Sequence, residues 1–308
     1  MIGATPTSFI ALGIVLVLAP ALPGLATRTK SLLTGRRGPP VLQLYFEMAK
    51  LLRKRAVYSA TTTWLFRLAP VVGVVGVLLA SSLLPLDGRA SIVGFAGDFV
   101  LFAGLLALGR FFLILAALDT GSSFEGMGAS REAMVGAFAE VGLFLVFAAL
   151  VLATGRLTLS DMLGAPLAAA WSSSLPPLVM AGVGLFVLLL AEAGRVPVDD
   201  PATHLELTMI HEVAVLDQSG PDFALVLYGA ALKFALLAAL VAGVLAPRGA
   251  FAPSVALIAL PAGLLAIAAL VGVVEGVMAR LRLNRVPQLL VAASALATFA
   301  TILLLGHP

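Results

Sequence analysis

The chain has 308 residues, 61% of them hydrophobic and only 11% charged, with a formal net charge of +3 and no cysteine. Soluble domains average about a quarter charged residues, so this composition excludes a water-soluble globular fold. The missing cysteine excludes thiolate zinc sites, cysteine-ligated iron–sulfur clusters and disulfides within the chain.

Apolar runs of about 20 residues, enough to cross a bilayer, recur along the chain. Eight spans are expected, at 7–26, 64–84, 91–118, 132–153, 175–193, 223–245, 253–279 and 287–305. No long polar stretch interrupts them, so residues 1–308 read as a single transmembrane domain of the all-α, polytopic class. The first run has no basic residue ahead of it and no small-residue cleavage site, which predicts a retained span and not a signal peptide. Glycines such as Gly73, Gly76, Gly182 and Gly184 suit close helix packing in lipid, where apolar burial alone does not drive association.

Numbered by the span they follow, the odd loops and their span edges carry fourteen basic residues, from Arg28 to Arg285. The even loops carry only Arg89, Arg156 and Arg248. That bias places the odd loops in the cytoplasm and both termini outside.

Two of the odd loops, the first and the fifth, are more than connectors. In the first, residues 39–54 read as an amphipathic helix lying in the membrane surface, with Pro39 and Pro40 in its first turn. Gln43, Glu47, Lys50 and Lys54 form one face; Val41, Leu44, Tyr45, Met48 and Leu52 form the other. The third, TGSSFEGMGASRE at 120–132, lacks the lysine and spacing of a phosphate loop and reads as a flexible connector ending in a Ser130 cap.

The fifth loop, 194–222, sets Asp199, Asp200, Glu206, Glu212, Asp217 and Asp222 against Arg195 alone. Acid on the side that favours base calls for a protein partner or a proton path. Asp199-Asp200-Pro201 suits a helix start, and a helix from 202 would place His204, Thr208 and His211 on one face. These histidines are seven residues apart, about 10 Å along an axis, so no shared metal is expected. Two imidazoles among carboxylates titrate near neutral pH. The competing reading is a loop that packs on a partner subunit through caps and ion pairs.

Ionisable groups inside spans are costly and are functional candidates. They are Asp98, Arg110, Glu140, Glu192, Lys233 and Glu275. Glu140 and Lys233 lie near mid-span, and either form a static pair with each other or, with Glu275, serve a relay. Asp98 and Arg110 lie nearer the membrane edges, which favours a structural or interfacial role. No Ser-His-Asp, DNA-binding or glycosidase constellation is present.

Three segments together resemble the subunit 1 family of complex I and its hydrogenase relatives: RRGPPVLQLYFEMAKLLRK at 36–54, EAGRVPVDDPATHLELTMIHE at 192–212 and RLRLNRVPQLL at 280–290. PATHLELTMIHE and SSFEGMGASREAMVGAFAE at 122–140 are similar to the hydrogenase branch, of formate hydrogenlyase and hydrogenase-4 type complexes. The quinone-reducing branch carries an acid-x-acid pair where this chain has His204-x-Glu206. The resemblance implies a membrane subunit without redox centres in a multisubunit oxidoreductase of the bacterial inner membrane. It would anchor a peripheral electron-transfer arm and couple it to proton translocation.

On that reading the proton path comprises Glu140, Glu192, Asp199, Glu206, Glu212 and Glu275, with Lys233 added from its mid-span position. Arg36, Arg37, Gln43, Glu47, Lys50, Arg195, His204, His211, Arg280, Arg282 and Arg285 would dock the arm. Hydrogenase large-subunit-like and small iron–sulfur subunits, antiporter-like membrane subunits and lipid are the implied partners; nucleic acid is not. Iron–sulfur clusters and nickel–iron or flavin groups would sit in those partners. The alternatives are a complex I subunit 1 that forms part of a quinone site, and a stand-alone transporter, for which no inverted repeat is evident.

Overall fold

The computed structural model describes residues 5–200 and 209–306. It is built of helices: α1 (Pro6–Leu18), α2 (Ala21–Leu33), α3 (Gln43–Leu52), α4 (Trp64–Leu83), α5 (Asp98–Asp119), α6 (Ser123–Thr154), α7 (Leu159–Met162), α8 (Ala165–Ser173), α9 (Leu175–Glu192), α10 (Gly220–Leu245), α11 (Pro253–Val277) and α12 (Val286–Gly306). Among the described residues there is no strand. Among the described residues seven helices are long and apolar enough to cross a membrane, and α1 with α2, bent by 51° at the break, brings the number to eight if the pair is counted as one span. The break falls at Ala19-Pro20, where proline removes a backbone donor. The protein is therefore an all-α, multi-pass membrane protein.

α10 is the central helix, and every residue from Phe234 to Val244 is buried. Elsewhere the helices face outward with large apolar side chains, such as Val17 and Ile258, each 71% exposed. In hydrocarbon such a surface costs nothing, so close packing must come from small residues. At Gly272 on α11 a Cβ would lie 2.4 Å from the Ala26 carbonyl oxygen of α2, so only glycine admits that crossing.

Three elements depart from the sequence expectations. α3 starts at Gln43, not at Pro39: the two prolines precede it, and the Pro40 carbonyl accepts the Gln43 N–H at 3.0 Å. Proline disfavours helical backbone in the residue before it, which delays the start. α3 buries none of its residues; Phe46 is 62% exposed, and the Tyr45 hydroxyl donates to the Val17 carbonyl. α5 starts at Asp98 and not near 91, after Gly97 at φ 87°.

The largest departure is the glycine-rich run at 120–132. It is no flexible connector: α6 begins at Ser123 and runs 32 residues. A Cβ on Gly128 would lie 2.5 Å from Val213 Cγ1, so its small residues form a contact surface for the 3-10 turn Glu212–Val215.

Candidate functional site

Six charged side chains from four helices and one loop converge at the end of the bundle beneath residues 209–219. Arg110 of α5 is the hub, with its side chain only 6% exposed. Its Nη1 lies 2.7 Å from Glu140 Oε1, its Nη2 lies 2.6 Å from Glu192 Oε1, and its Nε lies 3.7 Å from Glu132 Oε1. Lys233 of α10 reaches Glu192 Oε2 at 2.6 Å. His211 pairs through Nδ1 with Glu132 Oε2, and its Nε2 sits 3.2 Å from the Ala191 carbonyl oxygen. A ring with a carboxylate on one nitrogen and a carbonyl on the other is held as imidazolium, with both nitrogens donating. Burial alone would lower the His211 pKa, but the Glu132 carboxylate outweighs it and raises the pKa above the ordinary imidazole value. Three cations (Arg110, Lys233, His211) then balance three anions (Glu132, Glu140, Glu192), which makes so costly a burial tolerable.

Two glycines make the room. A Cβ on Gly136 would lie 2.1 Å from Arg110 Nη1, so α6 must be bare where the guanidinium crosses it. Gly194, at φ 59°, leaves space for the His211 ring, which a Cβ would meet at 1.9 Å. Glu125, Glu132 and Glu140 are spaced seven and eight apart on α6, so a single helix face carries all three. That periodicity is the signal by which Glu132 could have been found; the expected connector at 120–132 hid it. Glu125 is buried too, its Oε1 accepting the Asp217 N–H at 2.9 Å.

A second set of pairs fastens the loop. Arg195 Nη1 lies 3.3 Å from Glu275 Oε1, and the guanidinium stands 5.6 Å from the Phe234 ring centre. Asp199 takes Arg280 Nη2 at 2.9 Å on one oxygen and the N–H groups of Ile210 and His211 at 3.0 and 3.1 Å on the other. Asp199 thus sets the backbone that aims His211 into the bundle. Lys30 reaches Asp200 at 3.3 Å.

A cavity of about 630 Å³ opens beside the charged set. Arg110, Glu132, Glu192, Lys233 and His211 line its polar end, and Pro70, Val74, Leu106 and Leu227 its apolar walls. Gln218 lines it as well, with neither amide atom hydrogen-bonded.

Several expectations are corrected by this geometry. Glu140 and Lys233 do not pair; Glu140 takes Arg110 and Lys233 takes Glu192, and the Arg110–Glu192 pair joins the two. Arg110 is no edge residue but the centre of the set. Asp98 is wholly buried and accepts the Leu159 N–H at 2.7 Å. Arg195 and His211, expected at a docking surface, point inward onto carboxylates. No α-helix carries His211, which precedes the Glu212–Val215 turn. His204, Glu206 and Thr208 lie outside the described residues. Glu212 lines the cavity, and Glu275 is buried. Arg36, Arg37, Glu47, Lys50, Arg282 and Arg285 are exposed, with Gln43 half-exposed.

The family model described as NADH dehydrogenase matches residues 7–306. The chain is 32% identical to formate hydrogenlyase subunit 4 of Escherichia coli (strain K12), over 95% of this chain and 96% of that protein. It is 34% identical to hydrogenase-4 component C of the same strain, over 77% and 73% of the two chains. A more distant relative is an NADH-quinone oxidoreductase subunit of Rickettsia peacockii (strain Rustic), 28% identical over 76% and 72%. In fold the chain is similar to one from the membrane-bound sulfane sulfur reductase, an archaeal respiratory membrane complex. The TM-score is 0.81 at 18% identity, covering 97% of this chain and 98% of that one.

Proposed function

The chain belongs to the NADH dehydrogenase family, and from that premise we propose that it anchors a hydrogenase-type oxidoreductase complex in the membrane and couples its electron transfer to proton translocation. The observation that carries this reading is the balanced charge set, which runs unbroken from His211 in the loop to Glu140 at mid-span. The Glu140 side chain is 39% exposed on the outside of the bundle, where a neighbouring membrane subunit would meet it.

Adding or removing one proton in such a set leaves an uncompensated buried charge, which is strongly unfavourable. A charge change at the loop would therefore be relayed: His211 yields its proton, Glu132 loses its partner, Arg110 shifts its pairing, and Glu140 takes or gives a proton at the outer face. Peripheral subunits of the hydrogenase large-subunit and iron–sulfur types would hold the metal or flavin centres, since this chain has no cysteine to ligate a cluster. They would dock on the exposed cations Arg36, Arg37, Lys50, Arg282 and Arg285, while antiporter-like subunits would receive the proton from Glu140. The basic-loop bias supports a cytoplasmic arm and termini outside an inner membrane.

The test is Glu140→Gln in the intact complex, reconstituted in vesicles. Electron transfer should persist while proton uptake or release per electron is lost. Unchanged pumping in a fully assembled complex would sink the relay. The cavity with its unpaired Gln218 amide supports a second reading, a quinone site. Inhibition of turnover by quinone-site inhibitors, with relief in Gln218→Leu, would establish that reading instead.

A further inference from the structure

The far end of the bundle, remote from the 209–219 segment, holds another buried cation, apart from that set. Arg248 lies in the 3-10 turn Arg248–Ala250, yet is only 4% exposed. Its side chain turns back into the bundle, where Nη2 donates to the Ala239 carbonyl of α10 at 3.4 Å and Nε has no partner. Among the described residues no carboxylate lies within ion-pair distance of it. The one whose field reaches it, Asp87, is occupied by the Thr7 and Ser8 hydroxyls and the Arg89 N–H at 2.9, 3.1 and 3.1 Å. Glycines clasp the side chain. A Cβ on Gly243 of α10 would lie 3.5 Å from Nη2, one on Gly263 of α11 would lie 3.8 Å from Nη1, and one on Gly88 would collide with the Arg248 Cβ at 2.6 Å. Burial lowers its pKa to about 10, which still leaves it charged at neutral pH.

Ala239 stands six residues, about 9 Å, along α10 from Lys233. The helix between them is apolar and buried. A guanidinium buried beside apolar helix, with no ion-pair partner among the described residues, repels any cation that approaches along that route. Fixed cations of this kind exclude protons from other membrane pores.

We propose that Arg248 is an electrostatic barrier that keeps protons in the Arg110–Lys233 set from crossing to the far membrane surface. Protons reaching Glu140 would then leave sideways, into a neighbouring subunit. The purpose of the barrier rests on the relay reading, but its presence does not, because it is read at rest.

The experiment measures passive proton leak in vesicles that carry the intact complex, with no electron donor. A potassium gradient with valinomycin imposes a potential, and an internal dye reports pH. Arg248→Gln should raise the leak on the order of tenfold, while Arg248→Lys, which keeps the charge, should stay near the parent value. Gly263→Asp, which offers the guanidinium a carboxylate without removing it, should also leak. An assembled Arg248→Gln or Gly263→Asp complex as tight as the parent overturns the barrier. So does Arg248→Lys leaking as much as Arg248→Gln, because arginine would then serve packing alone. Failure of the relay reading looks different: Glu140→Gln would pump normally while Arg248→Gln still leaked.

Discussion

The two ends of the bundle treat buried charge in opposite ways. Beneath the 209–219 segment, charges meet charges: Arg110 touches three carboxylates, Glu192 two cations, and Glu132 both Arg110 and His211. At the far end, charges meet neutral dipoles: Asp87 takes hydroxyls, Asp98 a backbone N–H, and Arg248 a backbone carbonyl. A set of linked ions has several pairings of similar energy, so its protons and partners can shift together. A lone ion clasped by hydroxyls and amides has one arrangement and stays in it. On the proposed reading, the first end would move charge and the second would hold it.

The largest expected effect breaks the first end. Arg110→Met leaves Glu132, Glu140 and Glu192 with only Lys233 and His211, and removing one partner of a buried set costs about 3–5 kcal/mol. The detergent-solubilised subunit should unfold at clearly lower temperature, and the complex should assemble poorly. Gly136→Ala comes next. Its methyl would occupy the guanidinium position, an overpacking cost of about 1–3 kcal/mol. The control is Gly104→Ala on α5, where a Cβ meets nothing within 4 Å and helix propensity favours alanine by up to about 1 kcal/mol. Equal melting temperatures for the two variants would remove Gly136 from the account.

A third, smaller effect sharpens the comparison through pH. The His211 pKa is raised in the folded state, so its pairing with Glu132 contributes fully below the ordinary imidazole value of about 6.5. That contribution fades as pH rises through the elevated folded value. The melting temperature should therefore fall from pH 6.5 upward in the parent, and the slope should flatten in His211→Phe, while Arg248→Lys keeps the parent slope. The smallest effect belongs to the loop edge. Lys30→Ala removes a partly exposed pair with Asp200 and should cost no more than about 1 kcal/mol by the same melting measurement.

The spans were legible because a bilayer demands long apolar runs whatever they pack against, and the structure differs from that reading mainly at their ends. The run at 120–132 reads as a connector for a local reason: its glycines and serines look like a linker until the Val213 turn that they receive is in place. Glu140, Glu192 and Lys233 stand out in the sequence as costly charges inside spans. Their pairings do not, since Arg110 reads as a residue near the membrane edge and His211 as a titrating or docking residue of the loop, while Glu132 carries no signal of its own once 120–132 is read as a connector.

What the amino-acid order determined alone was the class of the protein: apolar runs, basic-loop bias, and no cysteine to hold a redox centre. These depend only on the chain meeting water or lipid, residue by residue. Which charge pairs with which was decided by tertiary structure, because ion pairing falls off over a few ångströms and the partners lie on helices far apart in sequence. Arg110 reaches Glu192 because Gly136 leaves it a passage, and His211 reaches Glu132 because Asp199 and Gly194 turn it inward.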